Sequence, residues 1–377
     1  MLAQTIILAQ LAAVAAAAVP VEFREHTVAN DLAGGYQVVP CDVNHDGKID
    51  LIALASGMTD LVWFENPTWE RHVIARNLHE MINLAAWDID GDGIPEIVLA
   101  HEFSMRAKES IGIVSVLKHN GDPRALWSIT EIDRLPTSHR LRWADVDGKK
   151  VVVNAPLTGA HAEAPDYRDK VPLVFYRPGE WKREVIDASL EGLVHGLMVT
   201  PSGEIYTAGF NGIFEYQPNG GKWIRTKLTS GDPAPWPKSG SSDIAVGTAG
   251  RSKFLAAIEP WHGNQVAVYR NVAGAWKRGV IDDTLKDGHT IVTADLTGDG
   301  EDAIIAGFRG QPQRVYIYRF DGKSWKRQTL DDGGISAAAC AVADLNGDGR
   351  IDIACIGSAT HNLKWYENLG QPKRSQR

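Results

Sequence analysis

Histidines recur in this 377-residue chain at matching distances from acidic, glycine-rich segments. His139 lies six residues before Asp145, and His289 lies six residues before Asp295. His195 takes the corresponding place before a Ser-Gly turn. Because imidazole titrates near neutral pH and ligates transition metals, these side chains are candidates for proton transfer or for binding Zn²⁺ or another divalent metal.

Further candidates lie beside other histidines. His262 is close in sequence to Trp261, which can stack on a sugar ring, and to Glu259, which can hold hydroxyls or a metal. Arginine can anchor a carboxylate or stabilise an enolate. The predicted catalytic residues are His139, His195, His262, His289 and Arg140, and the predicted substrate-binding residues are Trp261, Glu259, His101, Arg309 and Tyr36.

Acidic turns form a second group of candidate ligands. Side-chain oxygens at positions 1, 3, 5 and 9, with glycine at position 6, suit Ca²⁺, and ligand positions without His or Cys disfavour zinc. A plain Asp-Gly hairpin turn is the alternative, and it stays fully open for the segment that begins at Asp295. The predicted ligands of structural Ca²⁺ are Asp42, Asn44, Asp46 and Asp50; Asp88, Asp90, Asp92 and Glu96; Asp344, Asn346, Asp348 and Asp352; and Asp295, Thr297 and Asp299.

A repeat supplies the elements that must position these residues. A tryptophan followed by polar and then apolar residues recurs about every 50 residues, and a degenerate copy begins at Phe23. Each copy precedes a small-residue apolar run, an acidic turn, a second apolar run and an aromatic strand. Four short strands per repeat predict an all-β fold, a seven-bladed β-propeller of four-stranded blades. The six full copies begin at Trp69, Trp127, Trp181, Trp223, Trp276 and Trp325.

The ends of the repeat predict how the ring closes. The last blade lacks its outer strand, so the N-terminal copy at Phe23 is expected to pair with it and remove an open sheet edge. In such blades the acidic turns lie on one face, and the remaining loops lie on the other. Tyr36 and Asp243 take places near those of the inner-strand histidines around the channel mouth. The histidines assigned to this second face are His79, His101, His139, His161, His195, His262, His289 and His361.

Composition limits the location and the partners of the protein. Residues 1–20 are apolar and alanine-rich, which predicts a signal peptide and a secreted or periplasmic protein, followed by the propeller at 21–370 and a disordered tail at 371–377. No later apolar run is long enough for a membrane span. A net charge of −8 disfavours a nucleic-acid partner. Cys41, Cys340 and Cys355 can form at most one disulfide, and buried free thiols are the favoured interpretation. The oligomeric state is left open.

Longer phrases point to a family. The acidic turns resemble FG-GAP or VCBS repeats, which build propellers. Leu135–Asp145, Asn154–Gly159, Leu193–Gly196 and Ile258–Gly263 resemble the propeller domain of the aldos-2-ulose dehydratase family. That resemblance implies dehydration of a keto-sugar such as anhydrofructose with the help of a divalent metal.

Three functions remain in view. The favoured one is a carbon–oxygen lyase that acts on a keto-sugar or related sugar, by metal-assisted proton abstraction and β-elimination. The alternative is a non-catalytic secreted propeller that binds carbohydrate or a protein partner, because a propeller fold does not determine function. A third is a polysaccharide lyase on uronic acids, in which Arg140 or Arg309 neutralises the carboxylate. The expected substrate is therefore a small sugar or a polysaccharide.

Overall fold

Seven four-stranded antiparallel sheets form a ring in the computed structural model, which describes residues 19–250 and 252–372. Strands in each blade are called A to D from the axis outward. The N-terminal strand is β1 (Glu22–Ala29). Blade 1 contains β2 (Gly35–Cys41), β3 (Asp50–Ala55), β4 (Leu61–Glu65) and β5 (Glu70–Ala75); blade 2 contains β6 (Asn83–Trp87), β7 (Glu96–His101), β8 (Ile113–Lys118) and β9 (Ser128–Arg134); blade 3 contains β10 (Ser138–Val146), β11 (Lys149–Pro156), β12 (Lys170–Tyr176) and β13 (Arg183–Glu191).

The remaining blades follow the same order. Blade 4 contains β14 (Val194–Val199), β15 (Ile205–Gly209), β16 (Gly212–Asn219) and β17 (Lys222–Thr229); blade 5 contains β18 (Ile244–Ala249), β19 (Ser252–Glu259), β20 (Gln265–Val272) and β21 (Ala275–Asp282). Blade 6 contains β22 (Gly288–Ala294), β23 (Ala303–Phe308), β24 (Arg314–Phe320) and β25 (Trp325–Asp332); blade 7 contains β26 (Ala337–Ala343), β27 (Asp352–Gly357) and β28 (Leu363–Gly370). The described part of the chain also has a single 3₁₀ turn at Ala107–Glu109.

The N-terminal strand completes blade 7, as predicted. β1 pairs antiparallel with β28, with Phe23 opposite Asn368 and His26 opposite Trp365. Backbone hydrogen bonds between the two ends of the chain therefore close the ring and cover an edge that would otherwise be free to pair with other chains.

The core lies between neighbouring blades. Apolar side chains of adjacent sheets meet there, as when Ile52 and Leu54 of blade 1 pack with Leu84 and Leu99 of blade 2. The B strands are covered on both faces, which is why β3, β7, β23 and β27 are buried along their full length. Removal of this apolar surface from water stabilises the stacked blades.

Buried and half-buried carboxylates link one blade to the next and explain the repeated tryptophan phrase. Asp133 of blade 2 accepts hydrogen bonds from Tyr176 Oη and Arg183 Nε of blade 3, both at 2.7 Å. In the sequence, Asp133 lies six residues after Trp127, the tryptophan of one repeat. Arg183 lies two residues after Trp181, the tryptophan of the next repeat. The contact recurs at Asp187 with Tyr216 and Arg225, at Asp282 with Tyr318 and Arg327, and at Asp331 with Tyr366 and Lys364.

The expectation of three free cysteines was wrong. Cys340 in β26 lies directly opposite Cys355 in β27, with Cα atoms 4.1 Å apart, and the two form a disulfide. The sequence placed both residues in strands, but only the register brings their side chains together. Cys41 is free, and burial raises the pKa of its thiol.

Two expectations about the termini lie mostly outside the described residues. The predicted signal peptide falls on 1–20, of which only 19 and 20 are described, and the predicted tail at 371–377 is described only for 371 and 372. Within the described ranges, no helix is long and apolar enough to cross a membrane.

The blade links predict a sharp contrast between two neighbouring aspartates. Asp331 is 2% exposed and joins blades 6 and 7, whereas Asp332 is 69% exposed and pairs with Arg314 at the surface. Asp331→Ala should lower the free energy of unfolding by about 2–4 kcal/mol, because it leaves buried donors without a partner. Asp332→Ala should change it by less than about 0.5 kcal/mol. Urea unfolding measures both, and equal effects would contradict the role assigned to Asp331.

Candidate active site

Three histidines reach the channel mouth from equivalent positions. His139, His195 and His289 are each the second residue of an A strand, in blades 3, 4 and 6. The pairing register shifts at each of these positions, which marks a β-bulge there. Tyr36 lies at the same bulge in blade 1. Because a bulge redirects the side chain of its extra residue, the shared irregularity aims these groups toward one place.

A fourth histidine completes the group from a loop. His262 lies between β19 and β20 with a left-handed φ of 49°. Its Nε2 is 3.4 Å from Nε2 of His195, and its ring centroid is 5.0 Å from that of His289. His195, His262 and His289 each offer one nitrogen within 4.8 Å of the other two, and we call them the histidine cluster.

Hydrogen bonds at Nδ1 fix how the cluster presents its Nε2 atoms. His289 Nδ1 lies 2.6 Å from the carbonyl oxygen of Ala338, which can only accept, so the proton is on Nδ1. Nε2 of His289 is then an unprotonated, buried atom without a protein partner. His195 Nδ1 lies 3.3 Å from Ser242 Oγ. The pattern at His289, in which Nδ1 is held and Nε2 is free, is typical of metal-ligating histidines.

The cluster histidines are neutral at physiological pH. Burial lowers the pKa of His195 and His289 well below the usual range, and the neighbouring Arg140 and Arg309 lower it further. Burial also lowers the pKa of His262. Neutral imidazole is the form that ligates metals.

The spacing fits zinc. Tetrahedral Zn²⁺ with Zn–N bonds of about 2.0–2.1 Å requires ligand nitrogens about 3.3 Å apart, close to the 3.4 Å between the Nε2 atoms of His195 and His262. Three protein ligands leave a fourth position for substrate or water, as in catalytic zinc sites.

His262 has an orienting carboxylate that the sequence analysis missed. Asp287 Oδ1 lies 3.2 Å from His262 Nδ1, and Arg309 contacts both oxygens of this carboxylate at 3.0 and 3.1 Å. Burial opposes ionisation of Asp287, but hydrogen bonds from His262 and Arg309 outweigh it and lower its pKa to about 2. An ionised Asp287 favours the Nδ1–H form of His262. Arg309 Nη2 lies 3.1 Å from the same nitrogen and can only donate, so it favours the other tautomer.

His139 lies beside the cluster and has a separate partner. Its ring centroid is 5.0 Å from that of His195, and its Nε2 shares a hydrogen bond of 2.9 Å with Tyr36 Oη. Nδ1 is buried without a protein partner. Burial, then the nearby Arg140, lowers the pKa of His139 well below its usual range. The structure thus separates His139 from the three possible ligands, a division that spacing alone did not provide.

Arg140 and an aromatic wall border the cluster. Arg140 is 6% exposed, and its Nη2 lies 3.3 Å from Nε2 of His195. The ring of Trp261 is 4.7 Å from that of His262 and packs among other aromatic side chains. We call this group the aromatic wall; it consists of Tyr167, Phe210, Trp236 and Trp261.

Two predicted substrate-binding residues lie away from the cluster. Glu259 is fully buried and accepts hydrogen bonds from Tyr269, Arg278 and Ser241. Tyr269 and Arg278 correspond to the tyrosine and arginine of the blade links, but Thr229 occupies the position of the linking aspartate and has no carboxylate. Glu259 supplies the carboxylate for these two side chains instead. The buried His101 shares a hydrogen bond of 3.0 Å with Ser115 Oγ within blade 2. Neither side chain is placed to contact a ligand at the histidine cluster.

The acidic turns follow the A strands at the end away from the histidines. The first aspartate of each turn accepts the N–H of the glycine at position 6: Asp42 from Gly47, Asp88 from Gly93, Asp295 from Gly300 and Asp344 from Gly349. These bonds hold the sharp bend that calcium loops share.

The last acid of a turn has a structural role of its own. Asp50 is fully buried and accepts the N–H groups of Val43 and Asn66, and Asp352 does the same with Leu345 and Asn368. In the second turn, Asp88, Asp90 and Glu96 each place an oxygen within 4.8 Å of the others. Of the acidic turns described, this is the one that meets that ligand spacing as it stands.

Seven four-stranded blades around a histidine-lined channel define the class of this chain: a seven-bladed β-propeller with a candidate active site on one face. A family model described as the β-propeller domain of aldos-2-ulose dehydratase matches residues 111–272, and a model of FG-GAP-like repeats matches 42–99 and 295–355. The predicted resemblance is thereby confirmed.

Individual proteins resemble this chain in sequence or in fold. Aldos-2-ulose dehydratase of Phanerodontia chrysosporium is 27% identical over 263 residues, which span 59% of this chain and 29% of that protein. A candidate 6-phosphogluconolactonase from Bacteroides fragilis is 15% identical, with a TM-score of 0.53 over 88% of this chain and 98% of its own. The extracellular domain of a candidate one-component system from B. thetaiotaomicron is 12% identical, with a TM-score of 0.56 over 92% of this chain and 40% of its own. The two solved structures support the fold alone.

The geometry predicts which histidines are needed for zinc. His195→Ala, His262→Ala and His289→Ala should each abolish stoichiometric zinc binding, because two imidazoles do not complete the site. His139→Ala should keep the zinc, and the buried His101→Ala is the matched control for loss of a histidine. Elemental analysis after dialysis against zinc measures the content. Full zinc in His262→Ala, or its loss in His139→Ala, would contradict the assignment.

Proposed function

We propose that this protein is a carbon–oxygen lyase that acts on a sugar. The observation that carries the proposal is the convergence of three neutral histidines whose ring nitrogens lie within 4.8 Å of one another, next to a fourth histidine with an unpartnered nitrogen. The relative from Phanerodontia chrysosporium, named a dehydratase of aldos-2-uloses, supports the sugar and the reaction class. Isolated packing histidines in a purely structural propeller would not require this shared arrangement of nitrogens.

The histidine cluster would hold a divalent ion, with zinc as the best fit. Such an ion supplies Lewis-acid chemistry, which polarises the carbonyl or carboxylate of a bound sugar. The carbonyl oxygen of Ala338 keeps Nε2 of His289 unprotonated, and Asp287 contacts Nδ1 of His262. Arg140, next to His195, adds positive charge where an enolate would develop.

His139 is the proposed base. It removes the proton from the carbon next to the carbonyl, and the electron pair of that C–H bond forms a C=C bond as the neighbouring C–O bond breaks. The leaving oxygen takes the proton back from His139 and, when it is a hydroxyl, departs as water. The hydrogen bond to Tyr36 holds the imidazole in place during both transfers.

The aromatic wall is the proposed platform for the sugar ring. Trp261 is half-buried and in contact with His262, so a ring stacked on its indole lies beside the histidine cluster. Aromatic faces bind the C–H faces of sugars by apolar contact, while the polar groups hold hydroxyls. A secreted or periplasmic location is part of the proposal, and the disulfide between Cys340 and Cys355 supports it because such bonds persist in oxidising compartments.

The proposed reaction predicts a new ultraviolet chromophore. Zinc-loaded protein mixed with keto-sugars such as anhydrofructose, and in parallel with uronate polymers, should generate an absorbing enone or unsaturated product. His139→Gln should slow product formation by at least about a hundredfold, because general-base catalysis is lost, while zinc content stays normal. His101→Gln is the control and should keep full activity. No product from any sugar, or an unchanged rate in His139→Gln, would contradict the proposed function.

We also propose structural calcium in the acidic turns. The supporting observations are the spacing of oxygens along each turn and the grouping of Asp88, Asp90 and Glu96. Lys118 forms ion pairs with both Asp90 and Glu96, so a positive charge already offsets part of the repulsion between these acids. Calcium would relieve the repulsion among these carboxylates and stiffen the turns.

Calcium titration tests this role. Asp88→Ala should bind one Ca²⁺ fewer per chain than the parent protein, because it removes the first ligand of one turn. Asp145, which pairs with Lys150, begins a turn that has acids only at positions 1 and 3, so Asp145→Ala should keep the parent stoichiometry. Isothermal titration of EDTA-treated protein gives both numbers. Absence of calcium binding, or the same loss in both variants, would contradict the proposal.

A further inference from the structure

A cavity of about 400 Å³ lies along the axis, next to the histidines. The A strands of all seven blades line it, mostly with small or apolar side chains. Its charged lining residues are few and lie near the same end as the histidines: Arg140, Arg142 and Asp243. Charges inside a mostly apolar channel are costly unless they are paired, so their presence calls for an explanation.

The two arginines lack a carboxylate partner. Among the described residues, no Asp or Glu lies within ion-pair distance of either guanidinium. Arg142 Nη1 donates to Asn83 Oδ1 at 3.1 Å and to the carbonyl oxygen of Leu141 at 2.8 Å, both of which are neutral. Arg140 contacts the neutral His195 and lies over the neutral ring of Tyr36. Burial, followed by the charge of Arg140, lowers the pKa of Arg142 to about 10, so Arg142 remains cationic at neutral pH.

Asp243 cannot balance the two cations. It carries at most one negative charge, and its Oδ1 accepts the backbone N–H of Ile244. Burial raises its pKa, an effect that the two arginines oppose. The part of the cavity lined by Arg140, Arg142 and Asp243 therefore keeps at least one uncompensated positive charge. The neighbouring neutral histidines supply no negative charge.

We infer that Arg140 and Arg142 form a carboxylate site, and that the sugar bound at the histidine cluster is an acid. Arg140 connects the histidine cluster with the cavity, because its Nη2 is 3.3 Å from His195 Nε2 and it lines the cavity with Arg142. A guanidinium binds a carboxylate with two parallel hydrogen bonds. Neutralising that carboxylate also makes the adjacent C–H bond more acidic, which suits removal of its proton. The inference rests on the proposed function and selects, among sugars, those with a negative charge.

Paired sugars test the charge preference. D-glucuronate and D-glucose share a ring and differ by one carboxylate, and isothermal titration of the zinc-loaded protein gives the affinity for each. Glucuronate should bind at least about tenfold more tightly, since one charge-assisted bidentate contact contributes more than 1.4 kcal/mol. In Arg142→Gln the preference should fall to about twofold or less. Arg106→Gln removes an exposed arginine from a loop on the histidine face and should keep the full preference.

Several outcomes would overturn the inference. Equal affinities for the two sugars in the parent protein would do so, as would an undiminished preference in Arg142→Gln. Acetate that binds as tightly as glucuronate would assign the site to free anions and overturn the sugar-acid identity. Should Arg142→Gln not fold, Arg142→Lys and the two sugars on the parent protein still decide the matter.

The same experiment separates this inference from the proposed function. Titrations repeated after EDTA treatment show whether the carboxylate contact survives without metal. An arginine-dependent preference with no turnover of any sugar would support the carboxylate site and refute the lyase. Turnover of a neutral keto-sugar with no charge preference would support the lyase and refute the carboxylate site.

Discussion

Convergence of the inner strands on a single axis is the constraint on which the structure depends. Seven sheets that share an axis must bring the first residues of their A strands to one opening, however far apart those residues lie in the chain. The bulge at the second residue of these strands then turns His139, His195 and His289 toward the opening. The ring holds this arrangement because β1 pairs with β28 and because buried carboxylates join successive blades.

Burial gives the histidine face its chemistry. Desolvation keeps the imidazoles neutral, and the Ala338 carbonyl oxygen at Nδ1 of His289 leaves its Nε2 free. Arg140 and Arg142 lie close to them without a described carboxylate in ion-pair distance, so this face combines neutral imidazoles with unpaired positive charge. The acidic turns at the other ends of the A strands concentrate negative charge. The disc thus separates a face suited to binding cations for stability from a face suited to chemistry on a polar ligand.

Much of this fold follows from the sequence, because a repeat of about 50 residues indicates the number of strands. The last repeat lacks its outer strand, which predicts that the N-terminal strand closes the ring. The positions of His139, His195 and His289 follow as well, since equal spacing to the acidic turns implies equal positions in the blades. The group formed with His262 does not follow, because a loop conformation decides where that imidazole lies. The disulfide depends on register, which spacing does not show. An aspartate six residues after the tryptophan marks a blade link in the sequence. Thr229 takes that position before blade 5, where Tyr269 and Arg278 instead meet Glu259 of their own blade.

Anomalous diffraction at the zinc edge, from crystals of the zinc-loaded protein, tests the central claim most directly. The account predicts one strong peak at the channel mouth, about 2.0–2.1 Å from the Nε2 atoms of His195, His262 and His289, with His139 outside the coordination sphere. A peak bound through His139 in place of His262, or no peak at the histidines, would contradict it.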